Sequence, residues 1–148
     1  MGKEYFCNPV NVPYRYQFNK PQVQGMSGDA SVQVAREAAD PSMIQFQGKY
    51  YIFASMTLSV WISEDMVHWE SRLPESLPLY DYAPDARVVG DYIYICASKK
   101  EEACNFYRTK DVINGPYEEI KGTFPFWDPN LFIDDDGRMY FYWGCSNQ

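Results

Sequence analysis

The sequence has one histidine, His68, and four cysteines, at positions 7, 96, 104 and 145. A zinc site needs closely spaced ligands, and these residues supply no such cluster. A catalytic triad or a Cys–His pair would have to use His68, which lies in the polar stretch SEDMVHWE. We interpret His68 as a solvent-side loop residue beside a packed Trp69. The composition therefore disfavours zinc-dependent and histidine-based catalysis.

The chain also lacks long apolar runs and an excess of positive charge. No stretch of 18 consecutive apolar residues occurs, so no membrane span is predicted. The net charge of −7 disfavours nucleic acid and anionic membranes as partners. The first residues, MGKEYFCNPV, have neither the basic start nor the apolar stretch of a signal peptide. This predicts a cytoplasmic location and reduced cysteines.

Aromatic residues, in contrast, make up 18% of the chain, and such side chains suit both protein cores and sugar-binding faces. Residues 1–35 have the features of an irregular N-terminal arm and loop, with a short helical turn at most in SVQVAREAA. From residue 36 onward, short runs rich in Tyr, Ile, Val and Phe alternate with turn-forming clusters about every 8 to 12 residues. This pattern predicts an all-β fold.

Three segments share one plan: ADPSMIQFQGKYYIFAS, APDARVVGDYIYICAS and WDPNLFIDDDGRMYFYWG. Each has an Asp beside a Pro, an apolar strand, a tight turn with Gly, and an aromatic strand that ends in small residues. The acids Asp40, Asp85 and Asp128 are 45 and 43 residues apart. Two hairpins in an interval of this length are typical of one propeller blade. We therefore predict a β-propeller in which these acids meet at one mouth of the central channel.

Asp40 and Asp128 each directly precede a proline, which disfavours the helical conformation of the residue before it. We therefore expect both acids to have an extended backbone, whose restricted conformation fixes the direction of each carboxylate. The alternative is an Asx-type turn, in which the carboxylate only accepts hydrogen bonds from nearby backbone N–H groups.

The acidic run DDDG at residues 134–137 could suggest calcium binding. It lacks the alternating acids and the distal Glu of an EF-hand loop. A hairpin connection with Gly137 at a position of positive φ explains the run better.

In this order, the motifs REAADPSMIQFQGKYYIFAS, YAPDARVVGDYIYICAS and WDPNLFIDDDGRMYFYWG resemble those of glycoside hydrolase family 43. The family consists of five-bladed propellers that act on xylose- and arabinose-containing glycans, and the resemblance covers about residues 36–148. It implies an inverting hydrolase with three acidic residues. Asp40 would match the general base that activates water. Asp128 would match the acid that orients the proton donor and tunes its pKa, the donor being a Glu from a later blade.

The resemblance also implies substrate contacts. Tyr82 stands where the family often has an aromatic residue and is a candidate sugar platform, and Trp127 is a second candidate substrate-binding residue. Asp85 has either a structural or a substrate-lining role. No cofactor is expected, although the resemblance leaves room for a structural calcium ion in the complete propeller.

Five blades of this period need about 200 residues or more, so 148 residues supply about two and a half. We place blade 1 at about 36–75, blade 2 at about 80–121 and the first hairpin of blade 3 at about 126–148. No residue matches the proton-donating Glu, so the isolated chain is expected to be inactive. The missing blades would come from the rest of the protein, a second chain or self-association.

The predicted function is the cleavage of β-xylosidic or α-arabinofuranosidic bonds, with an oligosaccharide as substrate. The lack of a signal peptide favours short imported substrates over polymeric wall glycan. Two alternatives remain: a non-catalytic carbohydrate-binding propeller fragment, and a structural all-β interaction domain. A fourth-blade Glu in a longer reading frame would distinguish the hydrolase from both.

Overall fold

The computed structural model of the chain describes residues 12–13, 17–19, 33–35, 38–55, 59–77, 82–99 and 102–144. Regular structure in these ranges is entirely β, and they contain no helix able to cross a membrane. The strands are β1 (Gln17–Asn19), β2 (Gln33–Ala35), β3 (Ser42–Phe46), β4 (Lys49–Phe53), β5 (Val60–Ser63), β6 (Glu70–Arg72), β7 (Tyr82–Val89), β8 (Tyr92–Ser98), β9 (Phe106–Thr109), β10 (Glu118–Ile120), β11 (Asn130–Ile133) and β12 (Met139–Tyr142).

The strands form consecutive antiparallel meanders. Strands β3 to β6 make one four-stranded sheet, strands β7 to β10 make a second, and β11 pairs with β12 in a two-stranded sheet. Each strand in these sheets pairs with its neighbour in sequence, as in the blades of a propeller. The chain therefore supplies two and a half blades of a five-bladed β-propeller, which confirms the predicted fold class.

Tight turns between paired strands fix the register of the sheets. The β3–β4 turn places Gln47 and Gly48 at φ of 49° and 79°, the signs that two-residue hairpin turns require. The DDDG segment closes the β11–β12 hairpin, where the Gly137 N–H donates to the Asp134 carbonyl at 2.8 Å. Gly137 has φ of 79°, so the hairpin interpretation of the acidic run is confirmed.

The core lies between the sheets and includes buried side chains from all three blades. Strand β3 alternates buried and exposed residues, as expected of a strand with one face on a core. The fully buried members include Phe53, Ile93, Ile95, Phe126 and Leu131. Burying each such side chain contributes about 1.5–3 kcal/mol, so the blades stabilise one another through shared apolar contacts.

Two short strands lie in the predicted N-terminal arm. Residues 33–35 form β2 and pair with β1, so the prediction of a helical turn in SVQVAREAA is wrong at these residues. Antiparallel pairing satisfies their backbone groups, and this outweighs the weak local helical tendency. In the same arm, the Pro13 carbonyl accepts a 2.8 Å hydrogen bond from the Trp61 indole N–H of blade 1. Apart from residues 12–13, 17–19 and 33–35, the arm lies outside the described ranges.

Candidate active site

Three residues with left-handed backbone occupy corresponding positions at the starts of the three blades. Asp40, Ala83 and Asp128 have φ of 49°, 47° and 47°, and each directly precedes a proline. The expectation that Asp40 and Asp128 are extended is therefore wrong. The following proline disfavours the right-handed helical region and leaves the left-handed one open. The N–H groups of Ala83 and Asp128 donate to serines of the preceding blade, whereas the carboxylate of Asp40 accepts from Ser55 within its own blade.

The same correspondence changes the register predicted for the acids. Ala83, and not Asp85, matches Asp40 and Asp128, because blade 2 has the order Pro-Asp where the other two have Asp-Pro. Asp85 lies two residues further along and matches Ser42 and Asn130.

The starts of the three blades meet at an open cleft of about 500 Å³. The structure thus brings Asp40, Asp85 and Asp128 to one site, and Arg87 is the one cation among the described residues that line it. The two acids that precede prolines are exposed, whereas Asp85 is only 5% exposed. The cleft therefore offers two solvent-accessible carboxylates for chemistry and one buried, paired carboxylate.

The buried Asp85 joins all three blades. Its Oδ1 accepts a 3.1 Å hydrogen bond from the Ser42 hydroxyl and lies 2.8 Å from Arg87 Nη1. Its Oδ2 accepts from the Leu131 N–H at 2.5 Å. Both oxygens thus hold blades 1, 2 and 3 in place, which favours the structural role for Asp85. A direct contact with substrate stays a prediction.

The carboxylate of Asp40 is held by a residue that the sequence analysis did not identify. The Ser55 hydroxyl, fully buried just after β4, donates to Asp40 Oδ2 at 3.0 Å and accepts from the Ala83 N–H at 2.8 Å. In blade 2, the Ser98 hydroxyl accepts from the Asp128 N–H at 2.8 Å. The sequence signal for both serines is the small-residue ending of the aromatic strands, FAS and CAS.

The two aromatic candidates do not line the cleft. Tyr82 is half-buried and pairs with Ser98 across the β7–β8 ladder. Trp127 is also half-buried, and its carbonyl accepts a 2.9 Å hydrogen bond from the Gly144 N–H. Tyr82 directly precedes Ala83 and Trp127 directly precedes Asp128, so each aromatic residue is the chain neighbour of a residue that lines the cleft. Their roles as sugar platforms stay predictions.

His68 lies away from the residues that line the cleft, in an exposed turn beside the buried Trp69, as expected. Its Nδ1 is 2.6 Å from Asp65 Oδ2, and this contact, with backbone N–H donors, holds the pKa of Asp65 well below its usual value. The corresponding turn of blade 2 uses Asn114, which donates to Asp111 in the same way. The histidine thus replaces an amide in a repeated turn.

Acidic residues, cysteines and histidine are the side chains that could hold a metal ion in the described parts of the chain. Within those ranges no three His, Cys, Asp or Glu residues lie close enough together to hold a metal ion. A calcium ion in the complete propeller stays an expectation from the resemblance.

Comparison with known proteins identifies the family. The family model described as "Glycosyl hydrolases family 43" matches residues 31–148, and the chain belongs to this family. The comparison with curated proteins gave no match.

Solved structures of similar fold include a bifunctional GH43-CE protein of Bacteroides eggerthii, with a TM-score of 0.61 and 21% identity over 73% of this chain and 18% of that one. An α-L-arabinofuranosidase from Clostridium thermocellum has a TM-score of 0.55 and 16% identity over 70% of this chain and 46% of that one. A Bacillus subtilis arabinanase has a TM-score of 0.53 and 20% identity over 69% of this chain and 46% of that one. The chain thus spans less than half the length of these structures.

Proposed function

We propose that this chain supplies the general-base side of the active site of an inverting glycoside hydrolase. The observation that carries the proposal is the pair Asp40 and Asp128, two exposed acids with the same left-handed backbone before proline, at one cleft. Family membership supports glycoside hydrolysis as the reaction. The donor Glu and the remaining blades lie outside this chain in the proposal.

An inverting reaction uses two carboxyl groups about 6.5–9.5 Å apart. In the proposed mechanism, Asp40 removes a proton from a water molecule whose oxygen attacks the anomeric carbon. The donor Glu gives its proton to the leaving glycosidic oxygen as that bond breaks. Asp128 stays ionised and raises the pKa of the donor by like-charge repulsion, so that the donor is protonated near neutral pH. No step is assigned to a metal or cofactor.

The substrate class in this proposal is a short oligosaccharide that contains arabinose or xylose. Two of the similar structures are named as an α-L-arabinofuranosidase and an arabinanase, which favours arabinose-containing substrates. Tyr82 and Trp127 are proposed to contact sugar rings through their aromatic faces. A cytoplasmic location remains a prediction from the sequence.

The test is the substitution Asp40→Asn in the complete propeller that contains this chain. A general base contributes about 10²–10⁴-fold to the rate, so hydrolysis of an aryl arabinofuranoside or xyloside should fall by that factor. Asp91→Asn is the matched control, because Asp91 is an exposed acid outside the cleft. Circular dichroism should show that both variants fold.

Two outcomes would contradict the proposal. Near-normal hydrolysis by Asp40→Asn would show that Asp40 is not the general base. Binding of arabinose- or xylose-containing oligosaccharides without hydrolysis by the unaltered propeller would favour the non-catalytic carbohydrate-binding alternative.

A further inference from the structure

Ser55 links the candidate general base to the neighbouring blade. Its hydroxyl accepts a hydrogen bond from the Ala83 N–H at 2.8 Å and donates to Asp40 Oδ2 at 3.0 Å. A hydroxyl has one proton to donate, and the backbone N–H cannot accept it. The two contacts therefore fix the direction of the bond, with the serine proton pointing to Asp40. Since Ser55 is completely buried, water does not compete for this proton.

Blade 2 contains the same connection without a carboxylate. Ser98 is also completely buried and accepts from the Asp128 N–H at 2.8 Å, as Ser55 does from Ala83. The residue of blade 2 that corresponds to Asp40 is Ala83, which has no polar side chain. The inter-blade bond thus occurs with or without an acid, and the bond from Ser55 to Asp40 is an addition to it.

We propose that Ser55 is a positioning residue that orients the Asp40 carboxylate for its role as general base. The inference rests on the proposed function. The Ser55 hydroxyl forms its hydrogen bond with Oδ2 of Asp40, and among the described residues it is the hydroxyl that donates to this carboxylate. Oδ1 is then the oxygen that receives the proton from the attacking water.

The advantage of such a restraint follows from the exposure of Asp40. An exposed carboxylate rotates among several orientations, and only those that place an oxygen against the attacking water are productive. Fixing one oxygen to a buried donor restricts this rotation and keeps the other oxygen in place. A displacement of about 1 Å in a reacting group lowers rates by about 100-fold, so one hydrogen bond has a measurable effect on turnover.

The experiment compares Ser55→Ala with Ser98→Ala in the complete propeller. Both variants lose one buried hydroxyl between blades, so their melting temperatures should fall by similar amounts. Ser55→Ala should lower kcat by about 10- to 100-fold with KM within twofold of the unaltered enzyme. Ser98→Ala, which removes a hydrogen bond to the Asp128 backbone, should lower kcat by less. Ser55→Cys has a similar size and a weaker donor, and it should give an intermediate kcat. It also keeps the test available if Ser55→Ala does not fold.

A second measurement separates positioning from a general structural effect. In the Asp40→Glu background the carboxylate is displaced from Ser55 by one methylene, so adding Ser55→Ala should lower kcat further by no more than about twofold. Independent effects would multiply instead, and that result would overturn the proposal.

Equal loss of kcat in Ser55→Ala and Ser98→Ala would also overturn it. Failure of the proposed function has a different signature, because Asp40→Asn and Asp40→Glu would then retain full activity. If Asp40→Asn is inactive and Ser55→Ala is fully active, only the positioning role fails.

Discussion

Asp85 and Arg87 form an ion pair along one strand, with Oδ1 2.8 Å from Nη1. They are two residues apart on β7, so their side chains leave the same face of the sheet. Arg87 Nε also donates to the Leu131 carbonyl at 2.6 Å, and Asp85 accepts from the Leu131 N–H. The pair thus binds both backbone groups of one blade 3 residue.

Replacement of Asp85 should destabilise the protein strongly. Asp85→Ala removes the carboxylate that forms the ion pair with Arg87 and leaves the Ser42 hydroxyl and the Leu131 N–H without this acceptor. Breaking a buried pair in this way costs about 3–5 kcal/mol, with the lower end expected because the Arg87 side chain is 33% exposed. Urea unfolding of the complete propeller measures this loss.

The control for this substitution is Asp91→Ala. Asp91 pairs with Lys110 at 3.8 Å, and its side chain is 86% exposed, so the change in the free energy of unfolding should stay within about 0.5 kcal/mol. An equally small effect for Asp85→Ala would show that the three blades do not depend on this carboxylate.

Replacement of Asp128 should change the pH profile of hydrolysis. Removing its negative charge removes the repulsion that raises the pKa of the donor Glu, so the donor loses its proton at lower pH. The alkaline limb of the kcat/KM profile of Asp128→Asn should therefore move to lower pH by on the order of one unit, with a reduced maximum rate.

Asp135→Asn should leave the profile unchanged, because Asp135 lies in the exposed β11–β12 turn. A change in KM alone for Asp128→Asn, with both limbs in place, would reassign Asp128 to substrate binding.

The Cys96 thiol should be unreactive in the folded protein. Burial, with a contribution from the nearby Asp85 carboxylate, raises the pKa of Cys96 far above its usual value. The thiolate is the reactive form, so iodoacetamide at pH 8 should leave Cys96 unmodified until urea unfolds the protein. Mass spectrometry of the peptide before and after unfolding checks this. Modification at equal rates in both states would contradict the buried position.

The isolated 148-residue chain should associate with itself. Within the described residues β12 pairs only with β11, and Tyr142 and Trp143 are more than half exposed. An unpaired edge with exposed aromatic residues is a template for pairing with another chain. Light scattering should give a mass above 17.3 kDa for the isolated chain.

Tyr142→Lys adds a charge to this edge and should reduce the association. A monodisperse monomer that hydrolyses an aryl glycoside would contradict both the placement of the blades and the absence of the donor.

Periodic features of the sequence predicted the blades well. The aromatic runs KYYIF and YIYICAS became β4 and β8, and glycine turns connect β3 to β4, β7 to β8 and β11 to β12, because alternation and turn chemistry are local properties. The acids Asp40 and Asp128 were also found from their repeated proline. The position of Asp85 was misjudged by two residues, since its Pro-Asp order resembles the other motifs in composition and not in register.

The parts that the sequence did not predict depend on contacts between blades. The left-handed backbone of Asp128 is not the conformation that its proline favours locally, and its N–H donates to Ser98 of the preceding blade. The role of Ser55 has the same origin. Its hydroxyl bonds an N–H that is 28 residues away in the chain, and a serine at a strand end has no distinctive local pattern.

The inter-blade hydroxyls also bear on how such a chain could grow in evolution. Blades 1 and 2 each carry a buried serine at the end of the aromatic strand. Blades 2 and 3 each begin with a backbone N–H that donates a hydrogen bond to the serine of the preceding blade. In blade 2 both halves of the connection lie on one segment. A gene duplication that copied this segment would copy both the backbone N–H donor and the serine acceptor. Each new blade would then carry the groups that bond it to the previous blade and to the next one.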